Sequence, residues 1–160
     1  MITPAIPSND SKRLNALKSY SLERKSDKNF NDITDLATLI TGMPVSLISF
    51  VEEDEVWFKS TKGMDICSSD RDLSFCSYAI ASKDHIYVVE NTKKDERFYN
   101  HPYANLGDKS VIFYAGVCLV DKKGFKIGTL CVIDHKPNTL SSKNRKALQL
   151  LANQVLKLVE

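Results

Sequence analysis

The heptapeptide Val45-Ser46-Leu47-Ile48-Ser49-Phe50-Val51 carries β-forming and apolar residues on both of its alternating faces. A strand with that pattern belongs in a sheet covered on both sides. The remaining residues must therefore supply two covering layers. A chain of 160 residues has material for one such domain but not for two separate cores, so residues 1–160 read as a single domain.

The periodicity assigns the layers. Residues 1–8 hold two prolines and form an extended lead, and Ser8, Asn9, Asp10 and Ser11 are candidate N-caps. Leu14, Leu17 and Tyr20 recur at helical spacing, which predicts a helix near 10–20. Asp27 caps a second helix with the stripe Phe30, Ile33, Ala37 and Ile40, stopped by Gly42 and Pro44. After the strand 45–51, the polar turn Glu52-Glu53-Asp54 leads to a hairpin partner, Val56–Thr61. Residues 62–74 read as irregular. A short helix over Phe75–Ala81 follows, capped by Ser74, then a short strand at His85–Glu90 and a long polar loop to about residue 110.

Val111–Val120 and Ile127–Ile133 form a second hairpin, with Gly124 placed for the positive φ of its turn. Ser141 caps a final helix, residues 141–160, whose stripe is Ala147, Leu148, Leu151, Ala152, Val155, Leu158 and Val159. Two antiparallel hairpins with helices at both ends give an α+β class. The terminal helices cover one sheet face, and the excursion 62–110 covers the other. A connection that long in a compact domain is usually functional, so a pocket is expected beneath it.

Composition narrows the function. With 22 basic and 20 acidic residues, the net charge of +2 gives no broad positive field for nucleic acid. No apolar run approaches the roughly 18 residues of a membrane span, and the amino terminus lacks a signal-peptide pattern. A cytoplasmic location is expected. Cys67, Cys76, Cys118 and Cys131 show no C-x-x-C spacing, and three lie in apolar company, as reduced buried thiols do. His85, His101 and His135 have no ligand spacing, so no metal is expected. Glu52/Glu53 and Asp70/Asp72 fall in polar turns, and no phosphate loop or nucleophile elbow appears. The chain reads as a non-enzyme.

Several collinear segments resemble the GAF domain family. They are Asp54–Ser60, Gly63, Arg71–Cys76, Asn91-Thr92, Asp95–Phe98, Asn100-His101-Pro102, Phe113–Gly116, Ile127–Asp134 and Leu140-Ser141, with Ile6-Pro7 and Arg13–Leu17 as the lead-in. The branch resembled supplies N-terminal sensor domains of bacterial histidine kinases and diguanylate cyclases. The resemblance implies an antiparallel sheet, terminal helices on one face, a small-molecule pocket on the other, and an output kinase or cyclase domain. Three positions depart from the branch. Ile112 stands where Arg is common, Cys118 where Pro is usual, and Tyr78 where His is frequent, which removes two polar ligand contacts.

The candidate pocket comprises Trp57, Phe58, Ser74, Phe75, Cys76, Tyr78, Asn91, Arg97, Phe98, Phe113, Tyr114 and Thr129. Aromatics supply its walls and the polar members its anchors. Cys76 sits where a helix N-terminus lowers a thiol pKa, which suits redox sensing; the plainer reading is a small core residue. No cysteine precedes a histidine, so the covalent bilin of some GAF relatives is not expected. The free methionine sulfoxide reductases of the family use a cysteine in the middle loop, and Tyr87–Gly107 contains none. Two readings follow: a module that senses an unknown small molecule and relays it through the terminal helices, or a ligand-free module that homodimerises through them.

Overall fold

The computed structural model describes residues 2–160. Its helices are α1 (Asp10–Ser19), α2 (Lys28–Thr41), α3 (Phe75–Ala81) and α4 (Ser142–Val159). Its strands are β1 (Val45–Val51), β2 (Glu55–Lys62), β3 (Ser68–Asp70), β4 (Ile86–Val89), β5 (Phe113–Val120) and β6 (Lys126–Asp134). The strands form one sheet in the order β3-β2-β1-β6-β5-β4. Every neighbouring pair is antiparallel. The α+β architecture matches the expectation.

Local chemistry sets most boundaries. The Asp27 carboxylate accepts from the Asn29 amide to start α2, and Gly42, at φ 71°, ends it. Ser74 and Ser141 cap α3 and α4 through the amides of Cys76 and Asn144. In the β5–β6 turn the Asp121 carboxylate accepts from Lys123 and Phe125 amides, while Gly124 takes φ 88°. β1 is buried at all seven positions, as its two-faced pattern demands.

The two cores lie on opposite sides of the sheet. On one side Phe30, Ile33 and Ala37 of α2 and Leu148, Ala152 and Val155 of α4 pack on Ile48, Phe50, Phe113 and Val132. On the other side Phe75, Tyr78 and Phe98 cover Leu47, Tyr114, Cys131 and Ile133. Helices behind the sheet and the excursion in front reproduce the layering read from periodicity.

Three features differ from the sequence reading. β3 lies within the stretch expected to be irregular: its Ser-Ser-Asp lacks strand composition, and pairing with β2 imposes the conformation. In α1 the buried residues are Arg13 and Leu17, whereas Leu14 is only half-buried. The lead also turns toward the front, where the Tyr78 hydroxyl donates to the Ile2 carbonyl.

Arg13 owes its burial to a charge network. Its Nε meets Asp10 Oδ1 at 2.8 Å and its Nη1 donates to the Val51 carbonyl at 2.8 Å. Asp10 also receives both ends of the Arg71 guanidinium, at 2.9 and 2.8 Å. Arg71 continues to the carbonyls of Glu52 and Glu53. One carboxylate thereby ties α1 to the β1–β2 turn and to the segment that opens α3.

Candidate functional site

A cavity of about 240 Å³ lies between the front of the sheet and the excursion. Leu47 and Ile133 come from the sheet, Met64 and Ile66 from the β2–β3 connection, and Phe75 from α3. Tyr103, Leu106 and Lys109 close it from the loop before β5. The wall is overwhelmingly apolar, as small-molecule sites usually are, although it is smaller than drug-sized pockets of roughly 300–1,000 Å³.

Local backbone rules place each wall. Gly63, at φ 79°, lets the β2–β3 connection turn against Pro44, where an added Cβ would stand 2.0 Å from the Pro44 carbonyl oxygen. Opposite it, two tight 3-10 turns, Pro102–Ala104 and Gly107–Lys109, shape the loop. His101 caps the first by accepting from the Tyr103 amide at 3.0 Å. Burial lowers the His101 pKa, although the Leu73 carbonyl opposes this, and the ring packs tilted at 39° against Phe75 with centroids 4.9 Å apart. The Tyr103 hydroxyl meets Ser69 Oγ at 2.8 Å, joining the loop to β3 across the cavity wall.

Beneath the cavity lies a sulfur cluster. Cys76 Sγ accepts from Thr129 Oγ1 at 3.2 Å and from the Tyr114 hydroxyl at 3.6 Å. Thr129 Oγ1 in turn lies 2.9 Å from Ser49 Oγ. The neighbouring Cys131 thiol, helped by the Ser49, Thr129 and Tyr114 hydroxyls, brings the Cys76 pKa down to about 6 against the upward push of burial. Burial and the nearby Cys76 sulfur move Cys131 the other way. Burial likewise raises Cys118, to about 11. Gly116 makes the cluster possible. It lies two residues beyond Tyr114 on the same face, and an added Cβ would meet the Tyr114 hydroxyl at 2.4 Å.

Of the twelve pocket candidates, Phe58, Ser74, Phe75, Cys76 and Tyr114 line the cavity. Thr129 supports it from below through Cys76. Tyr78 and Phe98 pack edge-on at 4.8 Å in the aromatic cluster around Phe75, outside the cavity wall. Trp57 and Phe113 are corrections. Both lie on the helix side of the sheet, Trp57 against Phe50 at 5.1 Å with Arg24 over its ring. The reason is the two-residue strand period: Phe58 and Tyr114 face the cavity, so their immediate neighbours cannot. Asn91 and Arg97 are also displaced from the cavity. Asn91 caps the turn Thr92–Lys94, and Arg97 pairs with Asp95 while covering the Tyr87 and Phe98 rings.

The sequence reading missed Leu47 and Ile133, although period two extends to them from the neighbouring strands. Met64 and Ile66 carried a weaker signal, as apolar residues in a polar connection. Tyr103, Leu106 and Lys109 carried none, because their placement depends on how a loop without periodicity folds back. Cys76, Cys118 and Cys131 are buried free thiols, whereas Cys67 is exposed. Among the described residues no helix is long and apolar enough to cross a membrane.

The sequence profile described as GAF domain matches residues 27–157. A cyclic di-GMP phosphodiesterase of Pseudomonas aeruginosa is 34% identical over 158 residues, which cover 98% of this chain. The chain spans only 27% of that relative's length. Among solved structures, the GAF domain of an Acinetobacter phosphoenolpyruvate-protein phosphotransferase superposes with a TM-score of 0.65 at 17% identity, with 92% of each chain covered. A free methionine-R-sulfoxide reductase from Neisseria meningitidis, in complex with its substrate, gives 0.64 at 16% identity, covering 98% of this chain and 95% of that one. At such identities these structures speak to the fold.

Proposed function

This chain belongs to the GAF domain family, and from that premise we propose that it is a non-catalytic regulatory domain that binds a small, largely apolar molecule in the front cavity. The observation that carries the reading is the apolar cavity of about 240 Å³ beneath the excursion, on the side opposite α2 and α4. Three of its polar neighbours are engaged in holding the fold: Ser74 caps α3, Ser69 meets Tyr103, and Thr129 meets Cys76, while Asp65 and Lys109 also stand on its wall. Ligand binding would alter the balance between two placements of the excursion, and the sheet would transmit that difference to the helices behind it.

The cavity bears on ligand size. Its volume equals roughly eight water molecules at about 30 Å³ each, far below the bulk of a cyclic dinucleotide. Lys109 is the single cationic side chain on its wall. The phosphodiesterase activity of the Pseudomonas relative therefore fits segments of that protein beyond the stretch matched here. In this proposal the matched stretch is an input module for a separate output domain, in a cytoplasmic setting.

A thermal-shift screen of small apolar alcohols, ketones and aromatic acids tests the reading. A ligand at a hundred times its Kd stabilises by about 2.7 kcal/mol, which moves the melting temperature by roughly 5–11 °C in a domain of this size. Absence of any shift across such a set, with the same result for a variant carrying Leu106→Ala at the rim, refutes it.

A second reading rests on the back of the molecule. Leu36, Leu39 and Ile40 of α2 and Leu150 and Leu158 of α4 are exposed on two packed helices. Such a patch fits a homodimer. Sedimentation of Leu39→Glu against the unsubstituted chain separates the two readings, since this change leaves the cavity untouched.

A further inference from the structure

One thiol lines the cavity, and a second lies in the same buried cluster. Cys76 lines the cavity, and Thr129, which donates to its sulfur at 3.2 Å, stands two residues from Cys131 on the same face of β6, with both cysteines in one buried cluster. The two come from different elements, α3 and β6. Each is almost completely enclosed, at 2% and 0% exposure, so neither is open to bulk solvent. Access to Cys76 therefore runs through an apolar chamber. Cys67, by contrast, is exposed.

We propose that this dithiol senses organic hydroperoxides carrying a small apolar group, with Cys76 the reacting thiol and Cys131 the resolving one. The proposal rests on the cavity being a ligand site, and it adds the chemical class of the ligand. In the first step the Cys76 sulfur attacks the terminal oxygen of R–O–O–H, an S–O bond forms, and the O–O bond breaks. The leaving R–O⁻ takes up the proton lost from the thiol and departs as R–OH. In the second step the Cys131 sulfur attacks the sulfenic sulfur. An S–S bond forms, the S–O bond breaks, and the hydroxyl leaves as water with the Cys131 proton. Two thiols lose two electrons in total, and the hydroperoxide is reduced to an alcohol and water.

Three features support this chemistry over simple occupancy. Thr129 Oγ1 and the Tyr114 hydroxyl both donate to Cys76 Sγ, which favours its thiolate, the reactive form. The same neighbourhood brings the Cys76 thiol down to about 6, which makes it the more reactive of the pair, since burial and the Cys76 sulfur push Cys131 up. Apolar lining selects a hydroperoxide with a carbon substituent over hydrogen peroxide, because the substituent leaves water on entering. A disulfide between α3 and β6 would then pin the excursion to the sheet. That gives the cavity a covalent output.

The test uses reduced protein in a Cys67→Ser background, exposed separately to cumene hydroperoxide and hydrogen peroxide. Intact mass and peptide mapping follow the reaction. The expected product has lost two hydrogens and yields a Cys76–Cys131 linked peptide. Cumene hydroperoxide should react about tenfold or more faster than hydrogen peroxide, the factor that burying roughly two methylene equivalents supplies. With Cys131→Ser, Cys76 should instead stop at a sulfenic acid trapped by dimedone, and with Cys76→Ser both products should vanish. Equal rates for the two oxidants, or oxidation that spares Cys76, overturns the proposal. Cumyl alcohol, which cannot oxidise a thiol, keeps the two readings apart. If it raises the melting temperature while cumene hydroperoxide leaves Cys76 reduced, the cavity reading stands and the hydroperoxide proposal falls; if it neither binds nor competes with oxidation, both fall.

Discussion

Removing the Asp10 carboxylate should destabilise this domain more than any single charge change on its surface. Asp10 accepts three hydrogen bonds from two guanidinium groups, those of Arg13 and Arg71. The Arg13 and Arg71 side chains are 1% and 7% exposed, and that of Asp10 is 13% exposed. Asp10→Ala leaves two enclosed cations facing each other without a counter-charge. Breaking a buried ion pair from one side costs about 3–5 kcal/mol. The slight exposure of Asp10 and the carbonyl partners kept by both arginines favour the lower end.

A loss of about 3 kcal/mol lowers the melting temperature by roughly 6–12 °C at this chain length. Asp10→Asn retains an acceptor but no charge, so its effect should fall between. Asp32→Ala breaks the exposed pair with Lys28 and should leave the midpoint in place. Urea unfolding of the three variants and of an Asp10/Arg71 double-mutant cycle measures the coupling. The reasoning is refuted if Asp10→Ala moves the midpoint no further than Asp32→Ala. The network also has an acid signature. Burial pushes the Asp10 pKa up, but Arg71 and Arg13 together bring it below 3.8. Its contribution is therefore complete above that value and lost as pH falls through the lower folded one.

Other outcomes are equally direct. The Cys76 pKa is depressed from 9.0 to about 6, so the stability it adds is present above the upper value and lost as pH falls through the lower. The stability difference between the unsubstituted chain and Cys76→Ser should grow with pH across that window, read from urea midpoints; a flat difference contradicts the assigned network. Gly128→Ala places a Cβ 1.9 Å from the Ser49 carbonyl oxygen, a backbone atom that cannot swing aside. It should cost about 3 kcal/mol or more by denaturant unfolding. Ser74→Ala removes the α3 cap and should cost about 1 kcal/mol, with faster amide exchange confined to α3 and its neighbours.

Relative to the sequence, the fold was largely legible and the site only partly so. Ser74, Asp27 and Ser141 act on amides two or three residues away, so their caps are local facts. The two-faced composition of β1 required layers on both sides before any partner was known. Even the errors at Trp57 and Phe113 were local ones: strand alternation excludes them once Phe58 and Tyr114 face the cavity.

What tertiary structure alone decided depends on residues far apart in the chain. Asp10 meets Arg71 across 61 positions, and Cys76 meets Thr129 across 53. No periodicity encodes such pairs, because each depends on the register of the whole sheet and on which loop folds over it. The same holds for Tyr103 and Lys109, which reach the cavity only because a loop without hydrophobic rhythm closes onto β3. Short-range sterics and hydrogen bonding wrote the elements into the sequence. Long-range packing, which satisfies buried charges and thiols together, assembled the cavity and the dithiol beneath it.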